Sequence, residues 1–199
     1  MKKSWSDPYL WVHVAGAATL PLWLFACLLG LAAGDPILPM GVEAFLVAVL
    51  GAAPVVWMQL KRPYSLYSLL AVTLKLEKLS EDQLRVLTWL KAGNPLVVAG
   101  AAALLCLVLK LISDGTAIAA ASTPIPNHFL GLIVAIVAFL GANLFLQVPL
   151  SALQVLLKSD AVFGAIDPYA NGRILSDFTV LGIKIDKILP ELESDPVRI

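Results

Sequence analysis

Charge is scarce in this chain. Asp, Glu, Lys and Arg make up 14% of its 199 residues, against 59% apolar, whereas soluble domains usually carry about 25% charge. A soluble fold of this length would have to hide far more apolar surface than its volume allows. A bilayer removes the difficulty, because lipid solvates apolar faces. Net charge is zero, so there is no electrostatic case for nucleic acid as a partner. Cysteine is almost absent: Cys27 and Cys106 sit apart in apolar runs, with no ligand spacing. Their ordinary fate is burial as small hydrophobes, with a redox or metal role as the alternative. HExxH, GxSxG, Walker and GxGxxG patterns are missing. The apolar runs hold no cluster of carboxylates or histidines for a metal. The expectation is a protein that is not an enzyme and has neither catalytic nor metal-binding residues.

What is present is four long apolar runs, at about 10–33, 39–60, 95–112 and 128–148. Each meets the roughly 20 residues a spanning helix needs. Gly and Pro punctuate the boundaries: Gly34-Asp35-Pro36, Lys61-Arg62-Pro63, Ser113-Asp114-Gly115 and Pro149. Helix is the economical choice in lipid because each segment satisfies its own backbone, and the alternation of a β-barrel is absent. The fold class expected is an all-α integral membrane protein, a four-helix bundle. Trp5, Asp7, Pro8 and Tyr9 separate Lys2 and Lys3 from the first run, which reads as a retained helix and not a cleaved signal peptide.

Lys and Arg are sorted along the chain. With both termini inside, 13 of 14 basic residues fall on the cytoplasmic side, a strong positive-inside pattern. Lys110 is the exception and can snorkel from its helix end. The expected localisation is therefore a multi-pass membrane protein with cytoplasmic N- and C-termini, divided into a membrane domain over 1–158 and a cytoplasmic tail over 159–199.

The inner connection is more than a loop. Pro63 opens a short apolar stretch reaching Leu76, a start that a helix tolerates, and Tyr64 and Tyr67 suit a headgroup region. Ser80-Glu81-Asp82-Gln83 reads as a capping box. It starts an amphipathic helix over 80–91, containing Trp89 and ending at Gly93. Such a helix suits the inner membrane surface; docking on a partner subunit is the alternative. In the tail, Phe178-Thr179-Val180 and Ile183-Lys184-Ile185 alternate enough for a short strand. A weak repeat aligns Gly51-Ala52-Ala53, Gln59, Pro63 and Ser65 with Gly141-Ala142-Asn143, Gln147, Pro149 and Ser151. Two tandem helical hairpins would produce it, as would chance similarity between apolar segments.

Few residues carry candidate chemistry. His13 and His128 could ligate a haem or chlorophyll, although the topology puts them on opposite sides; interfacial hydrogen bonding is the ordinary alternative. Glu43 either lies in the headgroup region or, if deeper, needs a partner; Lys110 at a comparable outer depth could supply the countercharge in a structural ion pair, with a proton relay as the alternative. Asn143 and Gln147, spaced i, i+4, share a face and suit helix–helix contacts. The reading commits to no cofactor.

Several stretches are distinctive together: Ser6-Asp7-Pro8-Tyr9-Leu10-Trp11, Gly34-Asp35-Pro36-Ile37-Leu38-Pro39, Trp57-Met58-Gln59-Leu60-Lys61-Arg62-Pro63, Leu79-Ser80-Glu81-Asp82-Gln83 and Asn143-Leu144-Phe145-Leu146-Gln147-Val148-Pro149. Over nearly its whole length the chain resembles the cyanobacterial family labelled low-complexity tail membrane proteins. The resemblance implies a thylakoid or plasma membrane of a cyanobacterium and brings no activity or functional residues. Members carry a biased tail after the core; this sequence stops at Ile199 without one, so no tail-dependent role is expected. The leading expectation is a non-catalytic accessory, assembly or scaffold protein. Its partners would be the lipid bilayer and a larger membrane complex or a homo-oligomer. A small oligomeric carrier or channel, and a pigment- or haem-binding protein, are the alternatives.

Overall fold

The computed structural model describes residues 3–187 and 189. Lys2, Arg198 and the end of the 159–199 tail lie outside the described residues. The helices are α1 (Pro8–Gly16), α2 (Leu20–Leu31), α3 (Met40–Lys61), α4 (Glu81–Lys91), α5 (Pro95–Asp114), α6 (Thr116–Ala119), α7 (His128–Leu156), α8 (Asp160–Gly164) and α9 (Ile174–Asp177). Three short strands, β1 (Ser68–Leu69), β2 (Val72–Leu74) and β3 (Ile183–Ile185), form a sheet. Four stretches are long and apolar enough to cross a membrane: Pro8–Leu31, Met40–Lys61, Pro95–Asp114 and His128–Leu156. The four-span helical architecture expected from the sequence is there, with the small sheet added.

The first span is interrupted by a 3-10 turn over Ala17–Thr19. Pro21 explains it, since it has no N–H and its ring crowds the carbonyl four residues back. The Leu20 N–H turns to the Ala17 carbonyl, and the Thr19 hydroxyl donates to the Gly16 carbonyl that Leu20 leaves. α7 runs on to Leu156 through Pro149, where the sequence suggested a stop. One missing backbone bond is tolerated in a membrane helix where neighbouring groups take up the freed carbonyl. This also separates the two arms of the apparent repeat. Ser151 is helical, whereas Ser65 lies in extended chain that pairs with the Thr179 carbonyl.

The chain divides into two compact units. One contains 16–61 and 94–147, the central parts of the spans. Small residues decide its packing. At Gly30 and Gly131 the backbones of α2 and α7 touch: a Cβ on Gly131 would lie 2.3 Å from the Gly30 carbonyl oxygen. Gly51 receives Phe139, and Gly141 receives the Trp23 ring, which stacks on Phe145. Without a hydrophobic force between helices in lipid, such close backbone approach and van der Waals packing hold a bundle together. Cys27 is buried with Leu31, Val47, Leu105 and Phe139, whereas Cys106 is exposed on α5.

The other unit joins 1–15, 62–93 and 148–199. The described part of the tail lies in this unit with the N-terminus and the inner connection. β1 and β2 form an antiparallel hairpin, with Ser68 opposite Thr73 and their hydroxyls 2.8 Å apart. β3 adds in parallel, with Thr73 opposite Lys184. The 63–76 stretch thus forms a strand hairpin with turns, not an α-helix. Its Tyr, Ser, Val and Thr side chains suit a half-buried pleat, and its partner strand arrives from more than a hundred residues away. α4 has its capping box, Gln83 N to Ser80 Oγ and Ser80 N to Gln83 Oε1. Its apolar residues Val86, Leu87 and Leu90 are buried. Its polar side holds the tail: the Arg85 Nε donates to the Ile166 carbonyl, Thr88 to that of Asp167 and Lys91 to that of Asp177. Trp89 lies beneath the Lys158 ammonium, 4.4 Å from ring centroid to Nζ, a cation–π contact.

Candidate functional site

Two buried ionisable groups of the spans, a carboxyl and an imidazole, meet in one place. Glu43, in the first turn of α3, and His128, the first residue of α7, are both buried. The Glu43 Oε2 and His128 Nε2 atoms are 2.7 Å apart, and His128 Nδ1 is 2.6 Å from the Ala33 carbonyl oxygen. Glu43 Oε1 accepts the backbone N–H groups of Ile37 and Leu38 at 3.0 and 2.9 Å. The local sequence builds this clasp. Gly34 turns the chain at φ +64°, a left-handed position natural to glycine. Asn127 Oδ1 accepts from the Leu130 N–H, capping the start of α7 beside His128.

The geometry determines the protons. A carbonyl oxygen can only accept, so Nδ1 carries hydrogen. One further proton then lies between Nε2 and Oε2. The pair is neutral overall whether it is written as imidazolium with carboxylate or as imidazole with carboxylic acid. Removing either partner leaves a buried polar group without its complement, the costly case for an ion pair in low dielectric.

Lys110 is not the partner of Glu43. It pairs with Asp114 at 2.6 Å, one helical turn on, and both side chains are exposed. The i, i+4 spacing places that carboxylate beside it without bridging helices. His128 was legible as the partner, since Glu43 and His128 both begin spans that run in the same direction. The ligand reading of the histidines meets a geometric obstacle: both ring nitrogens of His128 are engaged, and His13 Nε2 lies 3.0 Å from the Leu66 carbonyl. Asn143 and Gln147 are buried; Asn143 Nδ2 donates to the Phe139 carbonyl and Gln147 Nε2 to Asn143 Oδ1, both within α7. Among the described residues, no three His, Cys, Asp or Glu side chains gather as metal ligands would.

In the other unit, Tyr64 and Tyr67 are buried. Tyr67 donates to Asp7 Oδ2 at 3.1 Å and meets the Tyr9 ring edge-on. Asp7 Oδ1 accepts the Tyr9 N–H, which makes Asp7 the cap of α1, with Pro8 at the position after it. The Asp-Pro pair was the sequence signal for this cap. Burial pushes the Asp7 carboxyl above its usual range. Burial first, and the Asp7 charge second, push the Tyr67 phenol well above 10. A folded-state pKa raised in this way stabilises the unit fully below pH 10 and loses its contribution as pH rises past that value. Ultraviolet titration of the four tyrosines is expected to show Tyr67 ionising only together with alkaline unfolding. Its ionisation in the folded protein near pH 10 would contradict the burial.

The chain matches the family described as low-complexity tail membrane protein-like over residues 6–190. It belongs to that family. No curated protein and no solved structure matches it. The low-complexity tail membrane protein-like description carries a membrane location and no activity. The match spans both compact units, including Glu43, His128, Asp7 and Tyr67.

Proposed function

We propose that this protein is a non-catalytic accessory or scaffold of a membrane complex in a cyanobacterium, thylakoid or plasma, with both termini cytoplasmic. One observation carries the reading: Glu43, His128, Asn143 and His13, polar groups set into the spans, are spent on the chain's own structure. Glu43 and His128 bind each other and the loop before α3, Asn143 binds within α7, and His13 faces Leu66. Groups committed in this way suit a rigid framework better than a reaction or a proton path. The sorting of basic residues, 13 of 14 to one side, supports the orientation. The unit built from 1–15, 62–93 and 148–199 is then the part available to a partner.

Gentle solubilisation from native membranes followed by native electrophoresis tests the proposal. The chain is expected to migrate with a larger assembly, whose level falls when the gene is deleted. A monodisperse chain whose loss leaves every membrane complex unchanged would overturn it. The buried step of Asn143 and Gln147 in α7 favours the carrier reading over the pigment reading as an alternative. Solute or proton flux in vesicles containing only this protein would decide for the carrier.

A further inference from the structure

The three-stranded sheet ends on two rims, β1 and β3, and they differ. On the β1 side Ser68 is buried, and its N–H donates to the Ser65 carbonyl. On the β3 side no further strand follows among the described residues, since the order is β1-β2-β3. Ile183 is 74% exposed, Lys184 is exposed and Ile185 is half-buried.

The ladder determines which backbone groups of β3 are left over. The Ile183 N–H donates to the Ala71 carbonyl, and the Ile185 carbonyl accepts from the Lys75 N–H. Ile183 and Ile185 therefore turn their backbone groups toward β2. Alternation along the strand turns those of Lys184, and of Asp186 just after β3, toward the open rim. Such a row of N–H and C=O groups is a template for another strand. Gly182 holds β3 close in this register: a Cβ there would lie 2.5 Å from the Val72 nitrogen.

Charge shows which strand fits. Lys184 and Asp186 are two residues apart, so their side chains stand on one face. Asp186 meets Lys75 of its own chain at 3.2 Å, with both side chains exposed. Lys184 joins no ion pair among the described residues. Now lay a second β3 antiparallel along the rim, with a two-fold axis through Ile185. Lys184 falls opposite the Asp186 of the second copy, and Asp186 opposite its Lys184. Opposite charges directly across two strands attract. These are also the residues whose backbone groups face the rim, so each opposing couple exchanges both its hydrogen bonds. Ile185 meets its own counterpart on the axis, with Ile183 diagonal to it on the same face. Backbone and charge thus demand the same register.

We propose that the β3 edge joins two copies of this chain, antiparallel and strand to strand, with Lys184 of each facing Asp186 of the other. The contact is small, but both copies are held in one membrane, which raises their effective concentration. The inference is independent of the accessory reading, because a second copy is all the partner it needs.

Single cysteines in a Cys27→Ala, Cys106→Ala chain test it in the membranes of the expressing cell, with copper phenanthroline and oxygen as oxidant. Ile185→Cys puts a thiol on the axis. Its Cα lies about 4.5 Å from its counterpart in a non-hydrogen-bonded pair, within disulfide reach. Ile183→Cys is the more exposed position but is offset by about 13 Å from its own counterpart along the strands. More than half of the Ile185→Cys chain is expected to crosslink as dimer, and Ile183→Cys at least ten-fold more slowly. Equal rates at the two positions would mean random collision and overturn the proposal. No dimer at Ile185→Cys overturns it too, whether another protein or the chain's own last residues occupy the rim. In the Ile185→Cys chain, Lys184→Asp and Asp186→Lys each set like charges face to face, and each should lower crosslinking at least five-fold. Coexpressed with tags of different size, these two variants should crosslink to one another, since each supplies the charge the other has lost. Failure to recover the mixed dimer counts against the register. Should Ile185→Cys fail to fold, light scattering in detergent carries the test: a dimer is expected for the unaltered chain and a monomer for Lys184→Asp, and equal masses overturn the proposal.

Discussion

Replacing Glu43 with alanine is expected to destabilise the protein by about 3–5 kcal/mol, the usual cost of breaking a buried charge pair from one side. Three partners lose their complement at once: His128 Nε2 and the N–H groups of Ile37 and Leu38. Glu43→Gln should cost far less, about 1 kcal/mol. Its amide oxygen can accept the loop N–H groups while its NH2 donates to the imidazole, reproducing the neutral pattern of the pair. His128→Ala should match Glu43→Ala, and the double variant should cost well below the sum, because each single change strands the other partner and the double variant strands neither. Chemical unfolding in a fixed detergent reads all four. Equal losses for Glu43→Gln and Glu43→Ala would show that net charge, and not the hydrogen-bond pattern, matters.

The second large effect is expected at Gly131. A valine there must place its Cβ within 2.3 Å of the Gly30 carbonyl oxygen and 2.7 Å of the Ala33 Cβ. No rotamer relieves a clash with backbone, so α2 and α7 have to separate, at about 3 kcal/mol or more. The separation also moves the Ala33 carbonyl away from His128 Nδ1. The Gly131→Val and Glu43→Ala losses should therefore be less than additive, since both undo the same loop. Gly100→Ala is the matched control. Its Cβ would meet open space, and alanine gains up to about 1 kcal/mol in a helix. Thermal unfolding in detergent should separate the two glycines clearly. Comparable losses at both would contradict the close crossing of α2 and α7.

Individual residues show how much of this was legible beforehand. The four spans could be read because solvation by lipid is a property of a local run of residues, as was the box at Ser80–Gln83, where all the bonding atoms lie within four residues. The candidate site was half legible. Glu43 and His128 each stood out as ionisable groups in apolar runs, but Lys110 looked like the countercharge because formal charge is visible in a sequence and a shared proton is not. The bonds along α7 from Asn143 and Gln147 were hidden for a related reason: the spacing shows which residues share a face, not which acceptor wins.

The linear order of residues thus settles that this chain belongs in a bilayer as four helices, because hydrophobic run length and backbone self-satisfaction act within single segments. Folding alone decides the rest. The sheet at 68–74 needs a strand from residues 183–185, the buried face of α4 needs the surrounding chain, and Glu43 needs the start of another helix. Each is a choice among partners far apart in the chain, and such choices depend on which surfaces meet in space.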